Sequence, residues 1–132
     1  MIDANVGKQE ILGICLDTTC CSVVALDGAG NPLRPALIWM DMRSAPQTEQ
    51  VLATADPALQ VNSNGTGPVS AEWMIPKSLW IQQEEPEIFE KAETVCEFQD
   101  YLNLHLTGKR VASINNVSVR WHYGPGWGGW AR

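Results

Sequence analysis

The chain has 132 residues, 45% apolar and 18% charged, which excludes a disordered polypeptide and suits one modest domain. Its net charge of -6 excludes a broad nucleic-acid surface built on clustered cations, but not a local phosphate site. No apolar run approaches the ~20 residues of a membrane helix and the start MIDANVGKQE carries no apolar signal core, so a cytoplasmic location with four reduced cysteines is expected.

Three short strands are predicted first, at Ile11–Leu16, Ser22–Leu26 and Ala36–Met40. The corner Asp17-Thr18-Thr19-Cys20-Cys21 separates the first two. Asp27-Gly28-Ala29-Gly30-Asn31-Pro32 is turn chemistry between the second and third. Helices follow. Thr48–Ala55 suits a short one. Pro76–Gln83 opens with Pro, favoured in a first turn, and sets Leu79 and Trp80 on one side. Pro86–Glu93 repeats that pattern, with acids near its N-terminus. Glu97–Leu106 spaces Phe98, Tyr101, Leu102 and Leu106 helically and ends at Thr107-Gly108. Asn62–Pro68 is a loop without periodicity. The tail WHYGPGWGGWAR offers aromatics that should pack on something, and no closing element is predicted there.

Metal and redox chemistry fit poorly. Structural zinc prefers paired cysteines whose thiolates reach one ion, whereas adjacent Cys20 and Cys21 on an extended chain would face opposite ways. A dithiol redox centre would have C-x-x-C at a helix start. Cys15 and Cys96 read as small buried hydrophobes, and His105 as helix surface. Gly124–Gly129 spells G-x-G-x-x-G, yet no strand leads in and no helix follows. There is no G-x-x-x-x-G-K-[ST] and no G-x-S-x-G.

What remains is a polar set at strand ends and loop edges: Asp17, Thr18, Thr19, Asp41, Arg43, Glu72 and Lys77. In open α/β sheets ligands bind beyond the carboxyl ends of strands. Asp41 would offer an acceptor and Arg43 a guanidinium fork to a polyol. The alternative is a surface ion pair that closes a strand and contributes little. The residues alone leave both open.

The segment Leu12–Ser44 resembles the N-terminal domain of FGGY-family carbohydrate kinases. Its Trp39-Met40-Asp41-Met42-Arg43 is similar to the W-x-D-x-R element of xylulokinases and ribulokinases. Downstream, Pro76-Lys77-Ser78-Leu79-Trp80, Pro86-Glu87-Ile88-Phe89, Asp100-Tyr101-Leu102 and Leu106-Thr107-Gly108 follow the family's order, and Ala112–Trp121 fits what comes next. The Asp17–Cys20 corner looks closest to the ribulokinase and ribitol-kinase-like branch.

The resemblance implies an α/β fold: a partial ribonuclease-H-like (actin-like ATPase) domain, a mixed sheet with helices, truncated at both ends. Residues 1–10 would be a poorly defined lead-in, 11–123 the family-like region and 124–132 a truncated Gly/Trp-rich tail. It implies a sugar pocket lined by Cys20 and Cys21, one facing the ligand and the other the core. Trp39, Asp41 and Arg43 would form a second wall, and Glu72, Trp73 and Lys77 a third. The implied reaction is ATP- and Mg²⁺-dependent phosphorylation of a pentulose or pentitol hydroxyl. The family's D-x-G-T-x-S phosphate loop has no match here, so no cofactor-binding residue is expected. The catalytic Asp is expected beyond the C-terminus, so this piece would be inactive alone. Its expected partners are a small sugar or polyol, the missing kinase half, or a second copy through an exposed sheet edge. The alternative is a non-catalytic remnant that binds a sugar weakly or a partner.

Overall fold

In a computed structural model, residues 6–60, 69–124 and 128–130 are described. Strand β1 (Val23–Leu26) is the organising element, and all four of its residues are buried. A strand covered on both faces loses the alternation of a half-exposed one, which is why its sequence is a continuous apolar run. On one face Val23 joins Cys21, Leu37, Met74 and Ile81. On the other, Val24 and Leu26 meet Cys96, Tyr101 and Leu104.

Helices supply those two layers. Helix α1 (Ala45–Ala53) begins with Pro46 in its first turn and packs on α2 (Met74–Glu84), which covers the first face of β1. Met74 and Ile81 of α2 are fully buried, and each such side chain contributes roughly 1.5–3 kcal/mol by leaving water. Short α3 (Pro86–Lys91) leads into β2 (Thr94–Glu97), which pairs antiparallel with β1, Val24 opposite Cys96. Helix α4 (Phe98–Thr107) covers the second face and stops at Gly108, whose φ of 70° caps it in the left-handed region. Gly30, at φ 87°, passes so close to Leu104 that an added Cβ would lie 2.9 Å from its Cδ2, so the turn before Asn31 requires glycine.

The first predicted strand is not formed. Residues 11–19 have no regular structure, and Leu12 and Cys15 are exposed. Both edges of β1 are occupied, by β2 and by the segment around Leu33 and Leu37, so an apolar run before the corner finds no sheet to join there. The third predicted strand is reduced to one bridge. Leu37 and Val23 exchange backbone hydrogen bonds of 2.9 and 3.0 Å, after which Lys77 captures the carbonyl of Ile38. Two further elements are absent from the sequence reading, β2 and α5 (Ile114–Arg120). The tail does close: β3 (Tyr123–Gly124) pairs with β4 (Gly129–Trp130), and the Tyr123 and Trp130 rings meet edge-on at 5.1 Å. The predicted loop Asn62–Pro68 lies outside the described residues. No helix among the described residues is long and apolar enough to cross a membrane.

Candidate functional site

Helix α2 turns one stripe inward: Met74, Lys77 and Ile81, at i, i+3 and i+7. The middle member is a lysine with no exposed surface. A buried ammonium needs hydrogen-bond acceptors on every side. Nζ donates to the backbone carbonyls of Cys21 at 2.8 Å and Ile38 at 2.7 Å, with that of Trp39 at 3.5 Å. Lys77 therefore ties the turn before β1 to the segment after Leu37. Burial pushes its pKa down, while Cys21, Asp41, Glu72 and Glu97 around it push the other way.

Glu97, the last residue of β2, is the second buried charge. Its Oε1 accepts the Cys21 N–H at 3.3 Å. Among the described residues its Oε2 has no hydrogen-bond partner, while the Trp121 indole favours the ionised form. Burial dominates and raises the Glu97 pKa above the ordinary carboxylate range, with Asp100 adding to the rise and Lys77 opposing it. Cys21 is thus gripped from both sides, N–H by a carboxylate and C=O by an ammonium. Burial and the neighbouring Cys20 push its thiol up to about 12.

Asp41 and Arg43 stand at the surface of this arrangement. Both Asp41 carboxylate oxygens accept from Arg43 Nε at 2.9 Å, and Oδ1 also takes the Arg43 backbone N–H at 3.1 Å. Burial alone would raise the Asp41 pKa. The Arg43 hydrogen bonds, with the charges of Arg43 and Lys77, outweigh it and hold the carboxyl below its ordinary value. The Arg43 guanidinium lies over the Trp80 ring at 4.9 Å, and its terminal nitrogens make no hydrogen bond among the described residues. Ile38, Trp39, Met40 and Met42 around the pair are exposed. A half-exposed indole beside an acceptor and a donor fork is a surface that can receive a hydroxylated ring or chain.

The sequence pattern of the FGGY family of carbohydrate kinases, N-terminal domain, matches residues 1–123. The chain belongs to the FGGY family of carbohydrate kinases. It is similar to the xylulose kinase of Streptomyces coelicolor, 37% identical over 110 residues that cover 83% of this chain and 21% of that protein. The ribulokinase of Mycolicibacterium smegmatis is 29% identical over 131 residues, 89% of this chain and 23% of that protein. The crystal structure of xylulose kinase from Rhodospirillum rubrum matches with a TM-score of 0.65 and 33% identity, covering 73% of this chain and 20% of that one. The chain spans about a fifth of the length of these curated relatives. Its mixed helix and sheet are therefore those of a sugar-kinase relative.

Within this FGGY chain, Lys77 brings together the first two of the stretches singled out from sequence. The Cys21 and Trp39 carbonyls meet the Lys77 ammonium, and the charges of Asp41 and Glu72 favour it. Cys20 is exposed and Cys21 buried. Trp73 goes elsewhere: it is buried against His122, ring centroids 5.8 Å apart, under the Arg120 guanidinium at 4.7 Å. Asp17 and Thr19 stay exposed on the irregular segment 11–19. Sequence reasoning missed Glu97, because a single acid at a strand-to-helix junction looks like a helix-start charge. The one available signal was that VCE continues a strand pattern into it. Among the described residues no group of three or more His, Cys, Asp and Glu is arranged to hold a metal ion.

The buried carboxylate has a measurable signature. Because the folded pKa of Glu97 is raised, its protonated form favours folding, and that contribution is lost as pH rises through the folded value. E97Q mimics the protonated state at every pH. Relative to wild type, E97Q is expected to gain stability as pH rises from the ordinary carboxylate range through the raised value. Urea melts of both proteins across that window check it, and a difference that is flat with pH would contradict it.

Proposed function

We propose that this chain forms part of the sugar-facing wall of a carbohydrate kinase that moves the γ-phosphoryl of ATP to a hydroxyl of a pentulose or pentitol. The observation that carries this is the junction at Lys77, whose ammonium ties the Cys20–Cys21 corner to the segment that runs into the Trp39-Asp41-Arg43 element. Asp41 accepts hydrogen bonds from substrate hydroxyls, and the free guanidinium nitrogens of Arg43 donate to substrate oxygens. Trp39 offers its ring to the C–H side of the sugar, and Cys20 and Cys21 edge the pocket. Glu72 supplies a further acceptor. Lys77 acts from behind, holding the wall in shape, since it is buried, and Trp73, packed on His122, stands apart from it.

The fold is that of a partial ribonuclease-H-like domain, with residues 11–123 as its family-like body, 1–10 leading in and 124–132 as tail. Similarity to solved sugar kinases supports it. ATP and Mg²⁺ belong to the intact kinase. No residue here matches the family's phosphate loop or supplies the base that would take the sugar's proton, so the 132-residue chain alone is expected to bind sugar without phosphorylating it. Its natural partner is then the remainder of such a kinase. The outer edge of β2 favours that over self-sufficiency: among the described residues no strand pairs with it, it borders a cavity of about 440 Å³ lined by Val95, Leu104, Val111, Val117 and Trp121, and such an edge invites a further strand.

A thermal-shift screen against pentuloses, pentitols, glycerol and ATP with Mg²⁺ tests the proposal, because a ligand that binds only the folded state raises Tm by mass action. Stabilisation by a pentulose or pentitol and none by ATP is expected. Stabilisation by ATP alone, or by no sugar, overturns it.

A further inference from the structure

Cys20 and Cys21 sit in the turn that precedes β1. Adjacent side chains of an extended chain point to opposite faces, and the sequence led to that expectation here. Cys21 instead has a φ of 65°, and the two sulfurs lie 3.8 Å apart. One thiol is exposed, the other buried, and both are free. A residue with a Cβ in the left-handed region is uncommon and strained, and it persists where its surroundings hold it there. Glu97 and Lys77 do so, on the Cys21 N–H and C=O.

We propose that Cys20 and Cys21 form a vicinal dithiol that a low-molecular-weight disulfide oxidises to a Cys20–Cys21 disulfide. The exposed Cys20 sulfur attacks one sulfur of the oxidant, releasing its first thiol and leaving a mixed disulfide on Cys20. The Cys21 sulfur then attacks the Cys20 sulfur and displaces the second thiol, which takes the Cys21 proton. Two protein thiols are oxidised and one small disulfide is reduced to two thiols. The second step is the slow one, because the attacking sulfur is buried and its thiol is held up at about 12 by burial and Cys20.

The product is strained. Adjacent Cα atoms stand about 3.8 Å apart, short of the roughly 4.4–6.8 Å that relaxed disulfides span, so the bond is readily reduced. It belongs to the labile, regulatory kind rather than the structural kind. Closing the ring turns the Cys21 backbone, the atoms that Glu97 and Lys77 hold, so the oxidation state reaches the same junction that shapes the wall. The thiol chemistry itself does not depend on what that wall binds.

The test uses the whole chain and a C15S variant, which removes the other exposed cysteine. Each is incubated with oxidised glutathione, quenched in acid, alkylated and mapped by peptide mass. The expected sequence is a transient glutathione adduct at Cys20, then a species lighter by two hydrogens in which only Cys20 and Cys21 escape alkylation. C21S is expected to keep the adduct, and C20S to give no closure. C21A replaces C21S if circular dichroism shows that variant unfolded. A wild-type chain that keeps its adduct at Cys20 without closing, or that pairs Cys20 with Cys15, overturns the proposal.

Discussion

Lys77→Met is expected to lower stability by about 3–5 kcal/mol, because hydrogen bonds from a buried charged donor contribute about 1.5–3 kcal/mol each and Nζ makes two short ones. Methionine fills the same channel through the core, so the loss isolates the ammonium. Without it the carbonyls of Cys21 and Ile38 lose their donor, and each buried acceptor left unsatisfied costs about 1–3 kcal/mol. Glu97 loses the cation that favours its ionised form. At roughly 3–5 °C per kcal/mol for a domain of this size, Tm falls by about 10–20 °C. The double variant K77M/E97Q should recover part of that loss, because the orphaned carboxylate is gone, and the double-mutant cycle reads the coupling directly. A K77M loss below about 1 kcal/mol would show that the carbonyls do not depend on Nζ.

The second large effect concerns binding. Asp41→Ala is expected to weaken affinity for the stabilising sugar by about 10–100-fold, since hydrogen bonds to a charged group contribute about 1.5–3 kcal/mol. It also frees Arg43, whose Nε is held between the two Asp41 oxygens, so the fork loses its aim. Stability should hardly change, because the pair is at the surface and such pairs contribute ~0–1 kcal/mol. Isothermal titration of D41A beside its melting curve separates the two quantities. Wild-type affinity in a folded D41A would remove Asp41 from the wall.

The sequence made the helical half of the fold legible and left the strand half blurred. Pro76 and Pro86 mark first turns, and Gly108 marks a C-cap, so α2, α3 and α4 were read close to their observed bounds. Helix α1 begins at Ala45, earlier than the expected Thr48, because Pro46 opens it. Strands need partners that the local pattern does not name. Ile11–Leu16 has strand composition but precedes a strand, β1, whose two edges are already taken, whereas Thr94–Glu97 is four residues long and is a strand because β1 lies beside it. Helix α5 escaped because Asn and Val make INNVSVR a poor intrinsic helix.

The site divides in the same way. Trp39, Asp41 and Arg43 were legible because a compact motif carries them on one exposed segment. Lys77 was legible as a family residue, but its burial was not, since charge argues for the surface unless the partners are known. Those partners are backbone carbonyls of Cys21 and Ile38, more than thirty residues distant in sequence. The closeness of the Cys20 and Cys21 sulfurs was hidden by a single backbone angle.

The most direct test of the sugar-wall account is a ¹⁵N–¹H NMR titration of the chain with the pentulose or pentitol that most raises its Tm. The account predicts saturable shifts at Cys20, Cys21, the Trp39 indole, Asp41 and the Arg43 side chain, with Val95, Val111 and Trp121 at the β2 edge unmoved. Saturable shifts confined to the β2-edge cavity, or none at the Trp39-Asp41-Arg43 element at saturating sugar, would contradict it.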